Sequence, residues 1–143
     1  MGKVSTILAR KGNNAVSVQK DTKVYEALKV MSDKNIGSLV VLDDEGKYAG
    51  ILTERDYSRK VILEGRHSDE ITVGEIMSTD LPTVKPDDTV EICMQLMSNK
   101  NIRYLPVFDG DQLSGIISIS DVVTETILQQ KETISQLQNY IQG

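Results

Sequence analysis

The chain repeats itself, and an internal repeat restricts its fold more than any composition does. Val18 aligns with Val84, Asp21 with Asp87, Val24 with Val90, and Met31-Ser32 with Met97-Ser98. Lys34-Asn35-Ile36 aligns with Lys100-Asn101-Ile102, and Leu39, Val41 and Asp43 with Leu105, Val107 and Asp109. After a one-residue gap, GILTERD (Gly50 to Asp56) aligns with GIISISD (Gly115 to Asp121). The short segments ahead of each repeat also match, VSTIL from Val4 and VGEIM from Val73.

Each repeat reads as β-α-β-β-α. Ala15 to Val18 and Pro82 to Val84 are expected as short strands. A helix follows, with Asp21 or Thr22, and Asp88 or Thr89, as candidate N-caps. Val24, Ala27, Leu28 and Met31 lie at helical spacing, as do Val90, Cys93, Met94 and Met97. SLVVL and YLPVF read as buried strands, DDEGK and DGDQ as turns, and AGILT and SGIIS as the returning strands of hairpins. A second helix is expected from about Glu54 and about Ser120. One such unit leaves a sheet face bare, so two units can cover each other. The expected divisions are residues 1–70, 71–128 and a helical tail over 129–143. In the C-terminal segment from Asp121 to Gly143, Ile127, Ile134, Leu137 and Ile141 recur like a coiled-coil seam.

Several classes of function are disfavoured. With 39% apolar residues in a chain of 143, a core is affordable, but at 4% aromatic it must be aliphatic. A net charge of −5 argues against nucleic acid as a partner. No apolar run reaches the ~18 residues that a membrane span needs, and no leader pattern is visible at Met1 to Arg10. The single cysteine, Cys93, excludes an intrachain disulfide and suggests a reducing, cytoplasmic setting. Its place on an apolar stripe reads as a buried side chain rather than a nucleophile. No metal-ligand spacing, activated nucleophile or phosphate-binding Gly-rich loop is present, so no catalytic residue, metal or catalytic cofactor is expected.

The repeated phrase leaves two readings open. Thr53 with Asp56, and Ser118 with Asp121, have the spacing of a capping box at a strand-to-helix junction. The same junction can hold a ligand, because free N–H groups at a helix start suit phosphate and a carboxylate suits a ribose diol.

On these motifs the chain resembles the cystathionine-β-synthase-type (CBS) domain, with two copies forming a Bateman-type pair. The carrying residues are Asp21 to Val24 and Asp87 to Val90, NIGSLVVLD and NIRYLPVFD, and the two phrases ending in Asp56 and Asp121. TERDYSRKVILEGR and the terminal YIQG are similar to stand-alone CBS pairs of bacteria and plant organelles.

The resemblance implies an α+β fold of two pseudo-symmetric motifs packed sheet to sheet, with a C-terminal helix. It implies a regulatory module that binds an adenosine nucleotide: AMP first, with ADP, ATP or NAD as alternatives. Such modules commonly pair as homodimers and signal through dimer shape or a protein partner; a ligand-independent interaction scaffold is the rival. Asp121 and Asp56 match ribose-binding acids, and Ser118, Thr53 and Ser120 match residues that line ribose and phosphate. Arg103 and Arg55 match phosphate-binding positions. Val16, Ile36, Pro82 and Ile102 match the walls flanking adenine. With Gly37 and Ser120 at the corresponding places around Asp56, the Asp121 cleft is expected to be the stronger site. Arg59, Lys60, Arg66 and His67 read as a solvated surface cluster, a second phosphate site being the sharper alternative.

Overall fold

The structure is a computed structural model that describes residues 2–12 and 15–142. The terminal Gly143 of the YIQG phrase lies outside them. The elements run α1 (Val4–Lys11), β1 (Ser17–Gln19), α2 (Val24–Lys34), β2 (Ser38–Leu42), β3 (Tyr48–Thr53), α3 (Glu54–Tyr57, continued by a π-helical turn over Ser58–Ile62) and α4 (Val73–Ile76). The second half continues with α5 (Val90–Lys100), β4 (Tyr104–Asp109), β5 (Gln112–Ser118) and α6 (Ile119–Gln142). The fold is mixed α+β with two small sheets and a C-terminal helix.

The first repeat carries a three-stranded sheet in the order β1-β2-β3, β1 parallel and β3 antiparallel to β2. The second repeat keeps the β4-β5 hairpin but reduces the expected Pro82 to Val84 strand to one parallel bridge, Val84 to Val107. The reason is chemical. In the first repeat Lys20 N–H donates to Leu42 O. The equivalent of Lys20 is Pro86, and the equivalent of Val40, whose N–H donates to Val16 O, is Pro106; neither proline has an N–H to give. Both hairpins slip register at the same place, Val41/Leu42 and Val107/Phe108.

Helices α2 and α5 occupy the same places in their repeats and end alike. Asn35 and Asn101 sit in the left-handed region (φ 54° and 53°), where asparagine is tolerated better than most residues. Their starts differ from the expectation. Thr89 does cap α5, accepting from Ile92 N–H at 3.3 Å. In α2, however, neither Asp21 nor Thr22 caps; Lys23 holds the N-cap position without a side-chain bond. The first N–H groups of α2 go instead to distant carbonyls, Val24 to Ile71 O and Tyr25 to Ser68 O. Along the two apolar stripes, Val24, Ala27, Met31, Val90, Cys93 and Met97 are buried, whereas Met94 is exposed.

The chain divides into two compact units, Met1–Asn14 with Pro82–Gly143, and Ala15–Leu81. These boundaries differ from the sequence reading because the two leading segments exchange places. Val4, Ile7 and Leu8 of α1 join the core of the second repeat, with Val90, Cys93, Met97, Leu105 and Ile117. Ile71, Val73 and Ile76 join the core of the first, with Val24, Met31, Leu39 and Leu52. The exchange is symmetric in detail. Lys3 bridges to Thr89 and Thr72 to Lys23, while Val90 N–H donates to Gly2 O as Val24 does to Ile71 O. The expected tail beyond residue 128 is not separate, since α6 runs unbroken from Ile119. Among the described residues no helix is long and apolar enough to cross a membrane.

Candidate functional site

The two phrases fold into the same device. At the end of β3, Thr53 accepts from Asp56 N–H (3.2 Å), and Asp56 Oδ2 accepts from Thr53 N–H (2.9 Å). At the end of β5, Ser118 Oγ accepts from Asp121 N–H (3.2 Å), and Asp121 Oδ2 accepts from Ser118 N–H (2.8 Å). Both are reciprocal capping boxes, so the short Asp at the third position reaches back as Glu would. One further bond is shared. Glu54 N–H donates to Gly37 O and Ile119 N–H donates to Arg103 O. The residue after each Asn-Ile pair is thereby tied to the start of the helix that carries the aspartate.

From there the sites diverge, because the exchanged segments bring different groups. In the first repeat α4 ends after one turn, and Met77-Ser78 runs beside β3, with Ser78 and Ile51 exchanging backbone hydrogen bonds. A Cβ at Gly50 would lie 2.7 Å from Ser78 O, so this approach explains the glycine of that phrase. Ser78 Oγ then donates to Asp56 Oδ1 (2.8 Å), and Lys60 Nζ sits 3.0 Å from the same oxygen. Thr53 Oγ1 also donates to Oδ2 (3.0 Å). Asp56 is 4% exposed, and both its oxygens are engaged inside the unit.

In the second repeat α1 continues for two turns, carrying Lys11 to the aspartate. Lys11 Nζ lies 2.7 Å from Asp121 Oδ2 and donates to Ile116 O at 2.9 Å. Arg10, one residue earlier, pairs with the buried Glu125 of α6. The Asp121 side chain keeps 19% of its exposure, and its contacts to Ser118 and Lys11 both fall on Oδ2. Lys11 and Ser78 escaped the sequence reading because each lies in a segment that precedes the other repeat. The echo between VSTIL and VGEIM was the available signal.

The remaining residues fall as follows. Thr53, Arg55, Asp56, Gly37, Val16 and Ile36 lie in the Ala15–Leu81 unit; Pro82, Ile102, Arg103, Ser118, Ser120 and Asp121 lie in the other. Val16 and Ile36 pack against the first core and Ile102 against the second, each partly buried. Pro82 and Arg55 are also partly buried, while Arg103 and Ser120 are exposed. Within the basic cluster, Lys60 is held by Asp56 and by Ile76 O, Arg66 pairs with Glu75, and Arg59 and His67 are exposed. Cys93 is fully buried; burial first, then the charges of Asp88 and Glu91, push its thiol up to about 11. Among the described residues no cluster of three or more His, Cys, Asp or Glu side chains could hold a metal.

A family model of the CBS domain matches residues 4–62 and 73–127. The chain belongs to the CBS-domain family. It is 39% identical to the CBS domain-containing protein CBSX3, mitochondrial, of Arabidopsis thaliana, over 98% of this chain and 72% of that one. Among solved CBS structures, a putative signal-transduction protein with CBS domains from Burkholderia ambifaria is 43% identical. It has a TM-score of 0.85 over 90% of this chain and 96% of that one. A hexameric CBS-CP12 protein from bloom-forming cyanobacteria is 32% identical, with a TM-score of 0.74 over 86% and 70% of the two chains. The CBS match and these likenesses support a regulatory module.

Proposed function

We propose that this CBS pair is a non-catalytic sensor of an adenosine nucleotide, bound at the start of α6 in the second repeat. A change in self-association or in a protein partner would be the output. The observation that carries the reading is the difference between the two aspartates. Asp56 is buried with both oxygens engaged, so its role is structural. Asp121 stays partly exposed, with its contacts on Oδ2, and can offer its carboxylate to a ribose diol. Ser118 and Ser120 flank it, and Arg103 is tied to the same helix start through its carbonyl. A helix N-terminus favours an anion, and a guanidinium can bind phosphate through two parallel hydrogen bonds. Arg103 and Lys11 are the two cations we assign to phosphate at this helix start, and two charges suit the single phosphate of AMP ahead of ADP, ATP or NAD. Lys11 would have to leave Asp121 for the ribose to dock.

The test is a thermal-unfolding series with AMP, ADP, ATP and NAD on the parent and on Asp121→Asn. Asparagine keeps an acceptor for Ser118 N–H and loses the charge. Ligand at about 100 times its dissociation constant adds about 2.7 kcal/mol to the folded state. That is a rise of several degrees for a domain of this size. A rise with one nucleotide, lost in Asp121→Asn, is expected. No rise with any nucleotide would leave a ligand-independent interaction scaffold.

A further inference from the structure

Lys11 fills in the second repeat the place that Ser78 fills in the first. Ile51 and Ile116 are equivalent in the two phrases, as are Asp56 and Asp121. In the first repeat Ser78 N–H donates to Ile51 O, and Ser78 Oγ donates to Asp56 Oδ1. In the second, Lys11 Nζ does both: it donates to Ile116 O and sits on Asp121 Oδ2. A single ammonium therefore stands where a length of backbone closes the other site. The two closures differ in permanence. Ser78 is fixed by a pair of backbone hydrogen bonds with Ile51. Lys11 reaches in on a flexible four-carbon stem, and its side chain is 37% exposed. Rotation of that stem alone uncovers Asp121.

Helix α1 does not have to move for this. Where Lys60 follows Asp56 by four residues, Glu125 follows Asp121. Arg10 pairs with Glu125, whose side chain is 5% exposed, and Val4, Ile7 and Leu8 are buried in the core of the same unit. Breaking a buried ion pair leaves an uncompensated charge, whereas an exposed pair exchanges with water at little cost. Neighbouring residues of α1 thus hold two acids one turn apart on α6, one pair as an anchor and one as a contact that can be exchanged.

We propose that Lys11 is a displaceable plug that makes the second-repeat site select phosphorylated adenosine ligands over unphosphorylated ones. This rests on the reading of Asp121 as the ribose-binding acid. A ribose diol needs the carboxylate that Lys11 covers. A bare nucleoside displaces the ammonium and offers it no counter-charge. A nucleotide gives its diol to Asp121 and its phosphate to Lys11, so one charge-assisted hydrogen bond replaces another.

Calorimetric titration of the full chain with AMP and with adenosine tests this. The parent should prefer AMP. Lys11→Met, neutral and of similar shape, should bind adenosine more tightly than the parent and AMP more weakly, reducing the preference by about tenfold or more. A gain in adenosine binding is a result that misfolding cannot produce. Lys11→Arg should keep the preference. Lys131→Met makes the same change of charge at an exposed position of α6 and should leave both affinities as they are. An unchanged preference in Lys11→Met, or an equal reduction in Lys131→Met, would overturn the plug and leave nucleotide binding standing. A parent that binds neither ligand would overturn the nucleotide reading and the plug with it.

Discussion

The Asp56 carboxylate accepts from Thr53 N–H, Thr53 Oγ1 and Ser78 Oγ and pairs with Lys60, all while 4% exposed. Truncating it strands several donors, and a buried donor left without a partner costs about 1–3 kcal/mol. Asp121 makes fewer contacts in a wetter place, where losing a cap costs about 1 kcal/mol. Asp56→Ala is therefore expected to lower the urea unfolding free energy by about 2–3 kcal/mol and Asp121→Ala by about half of that. Equal losses would mean that Ser78, from the exchanged segment, and Lys60, four residues after Asp56 on its own helix, contribute nothing. Chain order alone presented these two residues as twins. Part of their difference is local, Lys60 standing four residues after Asp56 where Glu125 follows Asp121; the rest comes from Ser78 and Lys11, which approach from segments far away in sequence.

At the scale of elements, the legible parts were those whose determinants are local. The bounds of the α2 and α5 stripes, the two hairpins and the Thr89 cap follow from spacing and turn residues within a dozen positions. Asp21 and Thr22 do not cap α2 because its N-cap position, the counterpart of Thr89, holds Lys23, which has no side-chain acceptor. The missing second-repeat strand was readable in principle from Pro86 and Pro106. Helix α4 shows how the donor segment is itself held. Glu75 accepts from Thr72 N–H (2.7 Å) and Thr72 Oγ1 (3.1 Å), and Arg66 pairs with it. The Thr72 bonds, backbone first, hold the Glu75 carboxyl below its ordinary value. A carboxyl depressed in the folded state stabilises at pH above its unfolded value of about 4.3, and that contribution disappears as pH falls through the folded value. Glu75→Gln should accordingly be less stable than the parent at pH 7, with a smaller gap at about pH 3.5, below the unfolded value. Urea midpoints of both proteins at the two pH values check this, and a gap that stays constant with pH would show that the carboxylate charge is irrelevant.

For the whole molecule, the exchange of leading segments makes each repeat's core depend on residues that precede the other. Ile7 is fully buried among Cys93, Met97, Leu105 and Ile117, while Ile76, 1% exposed, is buried among Val24, Met31, Leu39 and Leu52. Removing such a side chain to Ala typically costs about 2–5 kcal/mol, because the cavity closes only in part. The cost should appear where the contacts are rather than where the chain is contiguous. Hydrogen exchange separates the two, since each cooperative unit reports its own opening. Ile7→Ala should speed exchange in α5, β4 and β5 and spare β1 to β3, although Ile7 lies next to β1 in sequence. Ile76→Ala should do the reverse, loosening β1 to β3 and sparing the hairpin of the second repeat. If each substitution instead loosened the repeat that follows it in sequence, the exchange would be refuted. So would the account of how Lys11 reaches Asp121, because the same two turns of α1 that bury Ile7 carry Lys11 to that carboxylate.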